Sequence, residues 1–220
     1  MNALRLTALA AALALASAGA AQAAAVFTTN LAAFTAANAG LTVEGFENAA
    51  VASGTDTAFT GPVDAATNNG IFATNSVAAG FSITAGENLV YVSRDFGGNT
   101  GANVSSNLFG ENINIGFAPG VTAIGIDLLQ WAGNNDGWAI EIYDLADTLI
   151  GSFATAAGSF VGVVSSVSIG RMYLDKPNSG AVIDNLRFGA AAAVPEPGSL
   201  LLASTAIFGL GMAGRRRAPR

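Results

Sequence analysis

The chain has no histidine and no cysteine, so its reactive side chains are mainly the 14 carboxylates between residues 24 and 194. Without histidine there is no Ser-His-Asp or Cys-His nucleophile system, and without both residues no His- or Cys-ligated zinc. A bound metal would be a hard cation with oxygen ligands, calcium first. Hydrolysis of a glycoside would need two carboxylates roughly 5–10 Å apart across a cleft. Asp127 and Glu141 are read as such a pair, on neighbouring strands. Acids of this kind mostly solubilise a surface, so no catalytic residue is assigned and the chain is read as a non-enzyme. A second constellation surrounds the two tryptophans. Trp131 and Trp138 flank the loop that carries Asn134, Asn135 and Asp136. Sugar rings stack on aromatic faces and their hydroxyls pair with Asn and Asp, so this loop holds the ingredients of a glycan site. Trp138 shares the parity of Ile140 and Ile142, which assigns it to the core. Trp131 is open to either role.

The elements that must position these residues are mostly strands. Phe27-Thr28-Thr29-Asn30 opens a short helical pattern, in which Leu31, Phe34 and Ala37 or Asn38 follow at helical spacing, with Asn30 or a threonine as cap and Gly40 as the C-terminal glycine. From Leu41 on, runs rich in Val, Ile, Phe and Thr alternate with Gly, Asn, Asp and Ser clusters. Strands are expected at Leu41–Phe46, Ile71–Ala73, Phe81–Thr84, Asn88–Ser93, Val104–Leu108, Asn112–Phe117 and Thr122–Trp131. Others are expected at Trp138–Asp144, Leu149–Ala154, Phe160–Ser165, Val167–Leu174 and Val182–Phe188. In Ile140-Glu141-Ile142-Tyr143 the alternation puts Glu141 and Tyr143 on one face. About a dozen strands without βα alternation predict an all-β protein, an antiparallel two-sheet sandwich of jelly-roll type with one short N-terminal helix.

Both ends read as targeting segments. Arg5, the apolar run Leu6–Ala16 and Ala21-Gln22-Ala23 form a signal peptide, residues 1–23, cleaved before Ala24. The β-sandwich domain is residues 24–189, and the alanine-rich stretch 190–194 is a linker. Residues 195–220 begin Pro195-Glu196-Pro197, continue with an uncharged run from Gly198 to Gly214, and end in Arg215, Arg216 and Arg217. That run is at the lower limit for a helix crossing a hydrocarbon core roughly 30 Å thick, and the arginines favour the cytoplasmic side. Val194-Pro195-Glu196-Pro197, the short span and the arginine triplet resemble the PEP-CTERM sorting signal of Gram-negative bacteria. The resemblance implies processing by an exosortase, transient insertion in the inner membrane, and release to the outer surface or extracellular matrix. It also implies an association with biofilm and exopolysaccharide.

Removing the targeting ends changes the charge. The whole chain is at −6, but residues 24–194 keep only Arg94, Arg171, Lys176 and Arg187 against 14 carboxylates, a net charge of −10. Such a surface repels phosphate backbones and argues against a nucleic-acid partner. Arg94 and Asp95 are read as a surface pair.

Glu44 in Val43-Glu44-Gly45-Phe46-Glu47 and Asp184 in Ile183-Asp184-Asn185-Leu186 resemble the first- and last-strand text of galactose-binding-like jelly rolls, a group with many carbohydrate-binding modules. The resemblance implies a structural calcium held by Glu44 and Asp184, with Glu47 as the substitute for Glu44. The other reading is acids at strand ends. The functional expectation is an exosortase-sorted, non-catalytic glycan-binding module whose partner is extracellular polysaccharide. The alternatives are a structural matrix protein without a ligand site, or a carboxylate-driven carbohydrate enzyme.

Overall fold

Asn30 starts the one helix among the described residues. In the computed structural model these are residues 25–96, 100–107, 112–129, 137–156, 158–176 and 180–192. Asn30 Oδ1 accepts the Ala33 N–H at 3.0 Å, an N-cap that satisfies one of the free amides of α1, Leu31–Ala37. The helix is too short to stand on propensity alone. It is held by Phe34, which sits over two glycines. Gly125 and Gly162 face each other across a strand pair, and a Cβ on them would lie 2.7 Å and 2.5 Å from the Phe34 ring. The missing side chains are therefore the seat of the helix.

The eight-stranded sheet runs β1 (Ala25–Thr28), β12 (Ser159–Ser165), β9 (Ala123–Leu129), β14 (Val182–Gly189), β7 (Asn103–Ser106), β6 (Leu89–Val92) and β3 (Asp56–Phe59). Its eighth member, β2 (Thr42–Glu44), pairs with β14. The six-stranded sheet runs β11 (Leu149–Thr155), β10 (Trp138–Asp144), β13 (Ile169–Asp175), β8 (Ile113–Phe117), β5 (Phe81–Ala85) and β4 (Val63–Asp64). The ladders are antiparallel. This is the expected two-sheet architecture with one short helix.

Alternation drives the packing. In β10, Trp138, Ile140 and Ile142 point into the core while Ala139, Glu141 and Tyr143 point out. Edge-to-face rings link the two sheets: Phe81 of β5 meets Phe188 of β14 at 5.4 Å between centroids, and Phe46 meets Phe72 and Phe81 at 6.4 and 6.5 Å. Each such pair adds about 0.5–1.5 kcal/mol beyond the area it buries.

Three local expectations change. Ile71–Ala73 is a loop, although Ile71 and Phe72 are buried. Asn69 Oδ1 accepts the N–H groups of both Ile71 (3.0 Å) and Phe72 (2.8 Å), so a side chain takes the donors a strand would use. Ala25–Thr28 is a strand paired to β12 and not part of the helical opening. The short strands β3 and β4 were not legible, since each carries an aspartate at its end and spans four residues or fewer.

Candidate functional site

Strand β14 changes partner along its length. Val182 and Ile183 pair with β7, and from Leu186 the same flank is taken by β2. The second strand, β2, and the last, β14, thus lie side by side, with Glu44 opposite Leu186. The fork between β7 and β2 falls at Asp184 and Asn185, where the ladder to β9 also shifts register. Two non-glycine residues there are left-handed, Phe46 (φ 57) and Asn185 (φ 47), at a cost on the order of 1 kcal/mol each. Phe46 is held in place by full burial and by donation of its N–H to Glu44 Oε1 at 2.7 Å.

That bend decides which carboxylates meet. A Cβ on Gly101 would lie 3.3 Å from Glu47 Oε1 and 3.4 Å from Asp184 Oδ2, so both carboxylates converge on one glycine. A Cβ on Gly45 would lie 3.6 Å from Asn185 Oδ1. Glu47 Oε1 also accepts the Ala102 N–H (3.1 Å), and its Oε2 stands 3.4 Å from Arg94. Asp184 Oδ1 accepts the Asn185 N–H at 2.6 Å. Arg187, close by, is directed to Asp127, at 3.3 Å, and to the Asn185 carbonyl, at 2.8 Å. Burial pushes the Asp184 carboxyl up to about 6, with the negative charges of Asp127 and Glu47 adding to the rise against the Asn185 N–H and Arg187.

Of the three residues expected around a cation, the fork brings together Glu47 and Asp184. Glu44 is 6% exposed and both its oxygens are occupied, Oε1 by Phe46 N–H and Oε2 by Ala78 N–H, each at 2.7 Å. It braces the backbone. Among the described residues no three His, Cys, Asp or Glu side chains are grouped to hold a metal ion. The fork offers two carboxylates, and further oxygens would come from Asn185 Oδ1 and backbone carbonyls. Arg94 pairs with Glu47, whereas Asp95 accepts from Ser53 Oγ at 2.7 Å; the adjacent-pair reading of Arg94 and Asp95 fails because a salt bridge follows the fold, not sequence order.

Asp127 and Glu141 do not stand on neighbouring strands. Asp127 is on β9 and Glu141 on β10, in different sheets. Trp138 is 1% exposed and belongs to the core. Trp131, Asn134, Asn135 and Asp136 lie outside the described residues.

The outer face of the six-stranded sheet carries a cluster around Glu141 and Tyr143, the pair that alternation places on one face. Register aligns Ser152, Glu141, Tyr173, Asn114 and Thr84 across five strands. The next row aligns Tyr143, Arg171, Gly116 and Ser82. The Arg171 guanidinium lies 3.9 Å from the Tyr143 ring centroid, donates to Asp147 Oδ1 at 2.7 Å and to Asn114 Oδ1 at 3.3 Å. Tyr143 donates to Glu141 Oε2 at 2.5 Å, and Asn112 Nδ2 donates to Tyr173 OH. The hydrogen bond to Glu141 raises the Tyr143 hydroxyl above its ordinary range, and burial does the same for Tyr173. Both therefore stay neutral donors at physiological pH. A hollow of about 240 Å³ opens beside Glu141, Ser152 and Phe153. The available signal was parity, since outward positions of β10 and β13 alternate aromatic or charged groups with core residues.

The comparisons with known proteins bear on the C-terminal segment more than on this domain. The PEP-CTERM protein-sorting motif matches residues 193–217. That motif implies exosortase processing, export, and transient membrane anchoring by the C-terminal region. No curated protein matches the chain. Among solved structures, the enzymatically active domain of tailspike protein 4 of bacteriophage CBA120 is similar at 14% identity and a TM-score of 0.25, over 64% of this chain and 21% of that one. A likeness so weak carries no argument about activity, and the chain spans about a fifth of that structure's length. The expected leader, residues 1–23, and the sorting segment, residues 195–220, lie outside the described residues. Among the described residues no helix is long and apolar enough to cross a membrane.

Proposed function

We propose that the chain is an exosortase-processed surface protein whose β-sandwich is a non-catalytic glycan-binding module of an extracellular polysaccharide matrix. The sorting motif at 193–217 supports the export half of this reading. The carrying observation for the glycan half is the tyrosine–arginine cluster on the six-stranded sheet. Tyr143, with Arg171 against its ring, and Tyr173 share this outer face with Asn114 and Glu141, and Glu141 also lines a hollow. Sugars present that combination in reverse, with apolar ring faces edged by hydroxyls. Calcium is the proposed cation, assigned to Glu47 and Asp184 and not to Glu44.

The test is glycan-array binding of residues 24–194, comparing the wild type with Tyr173→Ala and Trp131→Ala. Binding lost in Tyr173→Ala and kept in Trp131→Ala supports the sheet face. The opposite pattern moves the site to the Trp131 loop. Absence of binding by the wild type, with and without calcium, refutes the glycan reading and leaves a structural matrix protein. Thermal melts with chelator test the cation: no loss of stability on chelation removes it.

A further inference from the structure

The sandwich has two unlike ends. Antiparallel register places Ala25 opposite Ser165, Gly189 opposite Ala123, Thr42 opposite Phe188, and Phe81 opposite Phe117. Asp144 lies opposite Ile169, and Ile169 N–H donates to Val121 O. Thr122 N–H donates to Gly189 O, and Ala118 N–H donates to Gly80 O. All these residues therefore gather at one end, where both the first strand begins and the last strand stops. Of the segments that build this end, 36–43, 77–83, 113–126, 159–170 and 188–192 contain no charged residue, and the turn 144–149 carries Asp144 and Asp147. In a domain of net charge −10 such an end is unusual.

The carboxylates that do approach it are tied up. Asp64 accepts the N–H groups of Ala66 and Thr67, Asp144 those of Ala146 and Thr148, and Asp147 pairs with Arg171. Glu87, Asp175, Asp184 and Glu47 lie toward the other end or in the fork. Five large hydrophobic side chains are exposed among the described residues, and Val26, Val43, Leu145 and Leu149 belong to strand starts or the turn on this side. Leu145 and Leu149 are 53% and 51% exposed on one hairpin. A hollow of about 380 Å³, floored by Gly116 and Gly170 and walled by Phe81 and Phe117, opens beside them.

The tether makes the bilayer the nearest occupant. The apolar run of the sorting segment starts at Gly198, nine residues beyond Gly189, and nine residues reach at most about 30 Å. That is little more than the length of a seven-residue strand, about 23 Å. We propose that this charge-poor end is a membrane-facing surface. While the sorting segment holds the chain, the end carrying Val43, Leu145 and Leu149 rests on the lipid headgroup layer, and the acidic end points away from it. Apolar side chains gain by entering the interfacial layer, and an anionic leaflet repels carboxylates within a Debye length. The inference rests on the membrane step that the sorting motif implies, and not on the glycan reading.

The absence of native cysteine makes the test direct. The full-length chain is reconstituted in vesicles of phosphatidylethanolamine and phosphatidylglycerol, with a fluorophore on Leu145→Cys, Pro119→Cys or Glu87→Cys. Lipids brominated near the headgroup end of the acyl chain serve as quenchers. Quenching at positions 145 and 119, and its absence at 87, is the expected result. Adding Val43→Glu and Leu149→Glu should abolish quenching at position 119 while the thermal transition, read by circular dichroism, stays in place. The following results overturn the proposal. They are no quenching at either near position, equal quenching at position 87, and quenching unchanged by the two glutamates. A response at position 119 that needs added exosortase assigns the surface to that protein and also overturns it.

Discussion

Replacing Asp184 by asparagine should stabilise the domain at neutral pH and leave it unchanged in acid. The carboxyl is raised from 3.8 to about 6, chiefly by burial in the fork. A raised acid holds its proton more tightly in the folded state. Folding is therefore favoured by this group below about pH 4, where both states are protonated, and loses that support as pH rises to about 6. Above pH 6 the penalty is constant. A shift of about 2 units corresponds to about 3 kcal/mol at full strength. Asp184 is only partly buried, so solvent screening reduces this to about 1–2 kcal/mol. Asparagine keeps an oxygen for the Asn185 N–H, which now comes at 2.6 Å, and cannot ionise. Urea titrations of residues 24–194 in chelator, from pH 4 to 7.5, would show the variant gaining about 1–2 kcal/mol over wild type across that range. In melting temperature this is several degrees for a domain of this size. A difference that does not depend on pH, or a variant less stable at pH 7, would refute the reasoning. Added calcium should then reverse the order, because only the wild type can bring two carboxylates to the ion.

Glu44→Ala should destabilise by about 2–4 kcal/mol in urea denaturation, because the buried amides of Phe46 and Ala78 lose their acceptor; a loss below about 1 kcal/mol would contradict its bracing role. Gly162→Ala should cost about 1–3 kcal/mol by driving a methyl into the Phe34 ring, and pairing it with Phe34→Leu should recover part of that loss in a double-mutant cycle; strict additivity would mean the two do not touch. Asn69→Ala should cost about 1–3 kcal/mol by freeing the Ile71 and Phe72 amides, read as a lower denaturation midpoint. Replacing Pro195, Glu196 and Pro197 with alanine should leave full-length chain in the inner-membrane fraction, as measured by mass spectrometry; normal release would disconnect the motif from processing.

What the sequence revealed followed local rules. Asn30 as a cap and Leu31 to Phe34 as a turn of helix are neighbour effects, and Ile140 to Tyr143 carries its own parity. The β1 strand was hidden because Ala25–Thr28 owes its conformation to pairing with β12, more than a hundred residues away. Ile71 and Phe72 have strand-like composition, yet one Asn69 oxygen outcompetes a ladder. The acidic fork was half visible. Glu47 and Asp184 were both singled out, but the left-handed Phe46 breaks the alternation that would rank Glu44 against Glu47. Asp127 and Glu141 looked adjacent because short spacing suggests a hairpin, whereas sheet membership depends on which strand folds back where. The alternation puts Glu141 and Tyr143 on one face, but Arg171 and Tyr173 join them only through register between β10 and β13, which no local pattern shows.

The central position of β14 has a temporal meaning. It lies between β9 and β7 and also pairs with β2, so the larger sheet stays split until this strand arrives. Polypeptides cross a bilayer from N-terminus to C-terminus, and β14 is the last strand before residues 193–217. Cargo emerging earlier must wait, unfinished, for the final stretch. The larger sheet can close only after β14 has emerged, so completion of the fold and arrival of the sorting segment are neighbours in the order of the chain.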